Sequence, residues 1–150
     1  MDGNMMDAKP MGANQALGEL EVGQVVAERD LTLTRDSLVR YAGASGDFNP
    51  IHYRDDVAER VGLPGVLAHG MLTMGAAVQP VVEWAGPSRI IDYTVRFTRP
   101  VVVDAETGAA LHVVAKVGRV DEGSARIDLT VTVDERTVLG KAQVVVATDR

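Results

Sequence analysis

The chain has 150 residues, of which 46% are hydrophobic and 24% charged, with a net charge of −6 and no cysteine. That length suits one domain with a real hydrophobic core and not two. The acidic balance is a poor match to nucleic acid or to an anionic membrane surface, and the lack of thiols removes disulfides, thiolate catalysis, zinc–thiolate sites and iron–sulfur clusters.

Aromatic residues make up only 4%, so the core must be built from Val, Leu, Ile and Ala. Residues 1–18 are rich in Gly, Asn, Met and Ala without an apolar period, and read as a flexible tail before a domain at 19–150. They lack the basic-then-apolar pattern of a secretion signal, and no later stretch approaches the ~18 apolar residues of a membrane span. The expectation is a soluble, cytoplasmic protein.

Val25 to Leu33 reads as a strand. Thr34 then has the character of an N-cap, with Asp36 in the first turn, and Leu38, Tyr41 and Ala42 follow at helical spacing. Ser45-Gly46 ends that helix. Pro50 lacks an N–H and pushes Asn49 out of the α region, so Asp47 to Tyr53 is not a regular helix. Asp55 to Val61 reads as a short helix, and Gly62, Pro64 and Gly65 mark a loop.

From about Ala68 to Trp84 the sequence is apolar nearly all round, which predicts a long buried helix, with Pro80 as a point of kinking or shortening. Four strands are predicted after it, at Ile90–Arg99, Ala109–Val120, Ala125–Val133 and Thr137–Thr148. Asp121-Glu122-Gly123 and Asp134-Glu135-Arg136 supply hairpin turns. One long helix wrapped by an antiparallel sheet, an α+β architecture, is what this order suggests.

The run that carries chemistry is Tyr41-Ala42-Gly43-Ala44-Ser45-Gly46-Asp47-Phe48-Asn49-Pro50-Ile51-His52. On a regular helix Asp47 and His52 would point about 140° apart. Gly46 permits unusual dihedrals and Asn49-Pro50 forces a break, so the backbone can bring the two together. A carboxylate and an imidazole holding one water suit the addition of water to a double bond. Taken singly, an Asp after Gly is a turn former and a His is a satisfied core or surface residue.

Ala68-His69-Gly70-Met71 opens the buried helix, where the first amides have no internal partner and the dipole is positive. Gly70 would let a carbonyl oxygen approach its N–H, an oxyanion site; close packing of helix on sheet explains the same glycine. His69 reads as a loop anchor and His112 as an unremarkable strand residue. Arg89, Arg96 and Arg99 offer a local basic patch for a phosphorylated carrier, or simple solubility.

These two motifs together closely resemble the MaoC-like hydratase family, also called hydratase 2, and the likeness continues through Tyr93-Thr94-Val95-Arg96-Phe97 to the C-terminus. It is nearest to small catalytic subunits of actinobacterial 3-hydroxyacyl-carrier-protein dehydratases. The resemblance implies a hot-dog fold and an (R)-specific hydratase or dehydratase interconverting trans-2-enoyl and (R)-3-hydroxyacyl thioesters. It assigns catalysis to Asp47 and His52, and oxyanion or substrate binding to Gly70, Asn49, Ala68 and His69.

It implies no metal and no cofactor; the substrate carries the phosphopantetheine of coenzyme A or acyl carrier protein. A single repeat has an open sheet edge and half a pocket, so it is expected to pair with itself or with a second hot-dog subunit. Val78 stands where some members carry a small polar residue, which leaves acyl-chain length open. Two rival readings are a hot-dog thioesterase, for which Glu83 is the nearest helix carboxylate, and a non-catalytic acyl-binding subunit.

Overall fold

The computed structural model describes residues 17–149. Of the predicted tail, residues 1–16 lie outside the described residues, while Leu17 and Gly18 form a turn. The chain order is β1 (Val25–Leu33), α1 (Arg35–Ser45), a 3-10 turn (Pro50–His52), α2 (Asp55–Arg60), α3 (Gly70–Ala85), a second 3-10 turn (Pro87–Arg89), β2 (Ile90–Phe97), β3 (Ala109–Asp121), β4 (Ser124–Val133) and β5 (Arg136–Ala147).

The five strands form one antiparallel sheet in the order β1-β3-β4-β5-β2, so β1 and β2 are its edges. Alternation decides which side is buried. Leu111, Val113, Ala115 and Val117 of β3, Ile127, Leu129 and Val131 of β4, and Ala142, Val144 and Val146 of β5 all face the core. The strands are wide in Val because branched side chains fill this pleated, half-buried surface. Against it lies α3, with Ala77, Val81 and Ala85 buried in the same core cluster.

The local signals act as the sequence predicts. The Thr34 side chain accepts from the Ser37 amide, and Ser37 closes a capping box on the Thr34 amide, so α1 begins at Arg35, as the N-cap reading of Thr34 requires. Gly46 ends α1 in the left-handed conformation, φ 77°, which a residue with a Cβ adopts at a cost. Pro80 does not end α3: the helix runs through it to Ala85, with Pro80 buried. β2 stops at Phe97, short of the predicted Arg99.

Two segments outside the sheet are tied to each other just before α3. The Ala68 amide donates to the Val101 carbonyl at 2.8 Å, and the Val103 amide to Val66 at 2.9 Å. Leu67 and Val102 form an isolated antiparallel bridge. The strand-like stretch after β2 therefore runs alongside the residues that lead into α3. No helix among the described residues is long and apolar enough to cross a membrane.

Candidate active site

The turn after α1 is built from nested hydrogen bonds. The Asp47 amide donates to Ser45 Oγ (3.1 Å), the Asn49 amide to Asp47 Oδ1 (3.2 Å), and the Ile51 amide to Asn49 Oδ1 (3.2 Å). Asx side chains thus replace the helical ladder that Pro50 interrupts. Asn49 caps the 3-10 turn that carries His52, so its role in the structure is to shape the loop. One carboxylate oxygen of Asp47 is used by the turn and the other, Oδ2, is turned toward His52.

His52 Nδ1 lies 2.7 Å from the Leu67 carbonyl oxygen. A carbonyl only accepts, so Nδ1 carries the proton in neutral His52 and Nε2 presents its lone pair. Nε2 is 3.9 Å from Asp47 Oδ2. That is too long for a direct hydrogen bond and short enough for one water to donate to both. The Asp47 side chain is 50% exposed and that of His52 only 10%, so the gap opens to solvent on the carboxylate side.

Beneath them lies His69, buried at 1% exposure. Its ring stacks on His52 with centroids 3.8 Å apart and planes 22° apart, and Tyr41 meets it edge-on at 4.7 Å. Its Nε2 is 3.2 Å from the Asp47 carbonyl oxygen, which makes Nε2 the donor. Nδ1 is then a buried acceptor without a partner among the described residues. Burial pushes the His69 imidazole below its ordinary value, and the nearby His52 acts in the same direction. The loop-anchoring reading of His69 thus matches its hydrogen bond, and it is also the floor on which His52 rests.

Asp47, His52 and His69 offer one donor atom each within 4.8 Å of one another. Near-parallel rings cannot aim both nitrogens at one ion, because each lone pair lies in its own ring plane. His69 would also have to release the Asp47 carbonyl. The donor set fits a bridging water better than a metal.

Gly70 is the first residue of α3, exposed to solvent, and His69 before it makes no side-chain capping bond. The helix's first amides consequently point out of its open end. A Cβ on Gly70 would come within 3.0 Å of the Phe97 ring, so close packing also favours glycine here. Ala68 spends its amide on Val101 and contributes by pinning the loop. Phe97 is an exposed apolar side chain at this opening, and Phe48, next to Asp47 in the chain, and Met71, next to Gly70, are exposed as well.

Three sequence candidates lie elsewhere. Glu83, near the far end of α3, is bound by both guanidinium nitrogens of Arg29, which hold its carboxyl below the usual range. Arg89 is engaged by Asp149 at 2.6 Å and by the Ala147 carbonyl, so it does not join a free basic patch. His112 stands on the sheet face between Asp30 (2.7 Å) and Glu28 (3.2 Å). The Leu67 carbonyl and the Phe97 ring were not foreseen. A backbone carbonyl leaves no mark in a sequence, and Phe97 meets Gly70 only through the return of β2.

A long helix laid on a curved antiparallel sheet, with a carboxylate–imidazole pair at the helix's amino end, defines a hot-dog domain. The chain belongs to the family of the MaoC-like domain, whose model matches residues 19–138. It is 42% identical to 3-hydroxyacyl-thioester dehydratase X of Mycobacterium tuberculosis over 78 residues, which are 52% of this chain and 27% of that protein. A solved MaoC-like dehydratase superposes with a TM-score of 0.85 at 33% identity, over 89% of this chain and 42% of that one. The (R)-hydratase PhaJ1 of Pseudomonas aeruginosa follows at 0.72 and 29%, over 90% of this chain and 86% of that one. The chain thus corresponds to a part of the first two relatives and to most of the third.

Proposed function

We propose that this chain is an (R)-specific hydratase/dehydratase that interconverts trans-2-enoyl thioesters and (R)-3-hydroxyacyl thioesters, on coenzyme A or acyl carrier protein. One observation carries the reading: the free Nε2 of His52 faces Asp47 Oδ2 across 3.9 Å, at the amino end of α3. In the hydration direction one water sits between the two groups. Its hydroxyl bonds to Cβ, and one proton passes through the pair to Cα on the same face. Water is consumed and the pair returns to its resting protonation. The two groups act as a unit, so no fixed proton is assigned to either.

The Gly70 amide and the positive end of α3 face the thioester oxygen, where charge develops as Cβ is attacked. His69 keeps the Asp47 backbone and the His52 ring in register. No metal or cofactor takes part; the thioester is the only activated group. A cytoplasmic setting is in keeping with the cysteine-free sequence.

The site is half-walled. Phe48, Met71 and Phe97 are 61%, 59% and 55% exposed, and Ile91 on the edge strand β2 is 61% exposed. A second hot-dog subunit, identical or related, covers this edge and completes the acyl pocket. A thioesterase reading would need a free carboxylate on α3, and Arg29 occupies Glu83.

The test is hydration of crotonyl thioesters, followed by loss of enoyl absorbance and by chirality of the product, with the protein alone and with a partner subunit. Formation of the (R)-3-hydroxy product supports the proposal. Release of free thiol, or the (S) product, refutes it.

A further inference from the structure

Arg35 is the first residue of α1, on the helix face shared with the buried Leu38 and Ala42. Its side chain is 23% exposed, and its planar fork is divided between two other segments. Nε donates to the Val103 carbonyl at 2.7 Å. The two terminal nitrogens donate to the Asp55 carboxylate at 2.9 and 3.2 Å, one to each oxygen, and hold that carboxyl below its usual range. These partners lie 68 and 20 positions away in the chain.

Each partner leads to one side of a single hydrogen bond, the one from His52 Nδ1 to the Leu67 carbonyl. Asp55 opens α2 three residues after His52, so its carboxylate fixes where the turn after α1 ends. Val103 closes the stretch that flanks Leu67. Its amide donates to Val66 at 2.9 Å, Leu67 bridges to Val102, and Val101 accepts from Ala68 at 2.8 Å. The two stretches are pressed together, since a Cβ on Gly65 would lie 3.0 Å from Val102 Cγ1, and Val66 and Val103 are fully buried. The Leu67 amide in turn donates to the carbonyl of Ile51, the neighbour of His52, at 3.1 Å.

We propose that Arg35 is a positioning residue for the acid–base pair: its fork clamps the turn that carries His52 to the stretch that presents the Leu67 carbonyl, and so keeps the proton on Nδ1 and leaves Nε2 facing Asp47. The effect on rate rests on the thioester reading of the site; the clamp itself concerns only which His52 nitrogen is protonated. A neutral imidazole exchanges tautomers when no acceptor favours one, and a carbonyl displaced by about an ångström no longer fixes the choice. Lysine is a poor substitute, because one ammonium on a flexible stem lacks the fork that serves both partners. Arg54 supplies the contrast. Its fork closes on Asp56, two residues away at the start of the same helix α2.

The experiment compares the wild type with Arg35→Met, Arg35→Lys and, as control, Arg54→Met. Long-range proton–nitrogen spectra of the imidazoles at mildly alkaline pH report the tautomer, with His52 assigned by the signal missing in His52→Ala. Hydration of crotonyl-coenzyme A gives kcat and KM. The wild type and Arg54→Met hold the proton on Nδ1. Arg35→Met shows exchange between Nδ1 and Nε2, and its kcat falls ~10-fold with KM within about twofold. Arg35→Lys moves both readouts in the same direction by less. A purely structural role would lower the melting temperature and leave the tautomer of the folded protein unchanged.

A folded Arg35→Met protein that keeps the Nδ1 proton or the wild-type kcat overturns the proposal, as does a wild type with the proton on Nε2. If Arg35→Met does not fold, Arg35→Lys decides alone, and its equality with the wild type in either readout ends the proposal. If the wild type turns over no thioester, the hydratase reading fails by itself, and the His52 tautomer across the same variants still decides the clamp.

Discussion

Among the described residues two histidines stand beside carboxylates, His52 and His112, and the two groups are built differently. On the outer sheet face, His112 contacts Asp30 and Glu28 directly, one carboxylate to each ring nitrogen, at 2.7 and 3.2 Å. Both nitrogens are used, the groups are largely exposed, and nothing is left to hold a substrate. In the turn after α1, His52 gives one nitrogen to the Leu67 carbonyl and keeps the other 3.9 Å from Asp47. The proposed catalytic pair is distinguished by its gap, by the imidazole floor of His69 and by the open end of α3. Close contact between a base and an acid satisfies both; separation by the width of a water leaves them able to work.

The largest expected effect separates the two histidines. His52→Ala lowers crotonyl-thioester hydration by ~100-fold or more, as loss of an acid–base group does. His112→Ala leaves the rate within about twofold, as for a surface change away from the site. Equal effects in a steady-state assay would erase the contrast. Gly70→Ala comes next. Its methyl presses on the Phe97 ring and closes the approach to the amide, so kcat falls ~10-fold or more. Circular dichroism and a thermal melt check that the fold survives.

The third prediction concerns the floor. Burial holds the folded-state value of His69 below the ordinary 6.5. The unfolded chain therefore binds more protons as pH falls through about 6.5, and this contribution to stability is full above that pH and lost below it. His69→Gln keeps a donor for the Asp47 carbonyl and does not titrate. Urea midpoints at pH 7.5 and 5.5 are expected to differ less in this variant than in the wild type, by up to ~1 kcal/mol. An unchanged difference would show that His69 is not the buried base described.

The smallest effect lies far from the site. Asp134 and Glu135 turn the β4–β5 hairpin with φ of 48° and 62°. Asp134→Asn with Glu135→Gly supplies the residues such a turn favours, and should raise stability by ~1 kcal/mol without changing the rate. A melting curve with no upward shift would contradict this.

The sheet was legible because burial on one face writes alternation into β3, β4 and β5, and α1 because Thr34 and Gly46 mark its ends. The turn at Asp47–His52 was legible as a break, since Gly46 and Pro50 forbid a regular helix. What fixes the site was less so. The Leu67 carbonyl that sets the His52 tautomer, the stacking of His69 across 17 positions of sequence, and the Phe97 ring over Gly70 all depend on tertiary return of the chain. The predicted helix through Pro80 to Trp84 matches α3, which runs to Ala85; burial of α3 in the core offsets the one missing helix bond. The pairing of Arg29 with Glu83, which removes the helix carboxylate from chemistry, joins residues 54 positions apart.

The most direct test of the shared-water site is Asp47→Asn. The amide keeps an oxygen for the Asn49 N–H, so the turn is retained while the acid–base function is removed. The account predicts a protein with the wild-type melting temperature and hydration slowed by ~100-fold or more. A folded Asp47→Asn protein hydrating crotonyl thioesters at near the wild-type rate would contradict it.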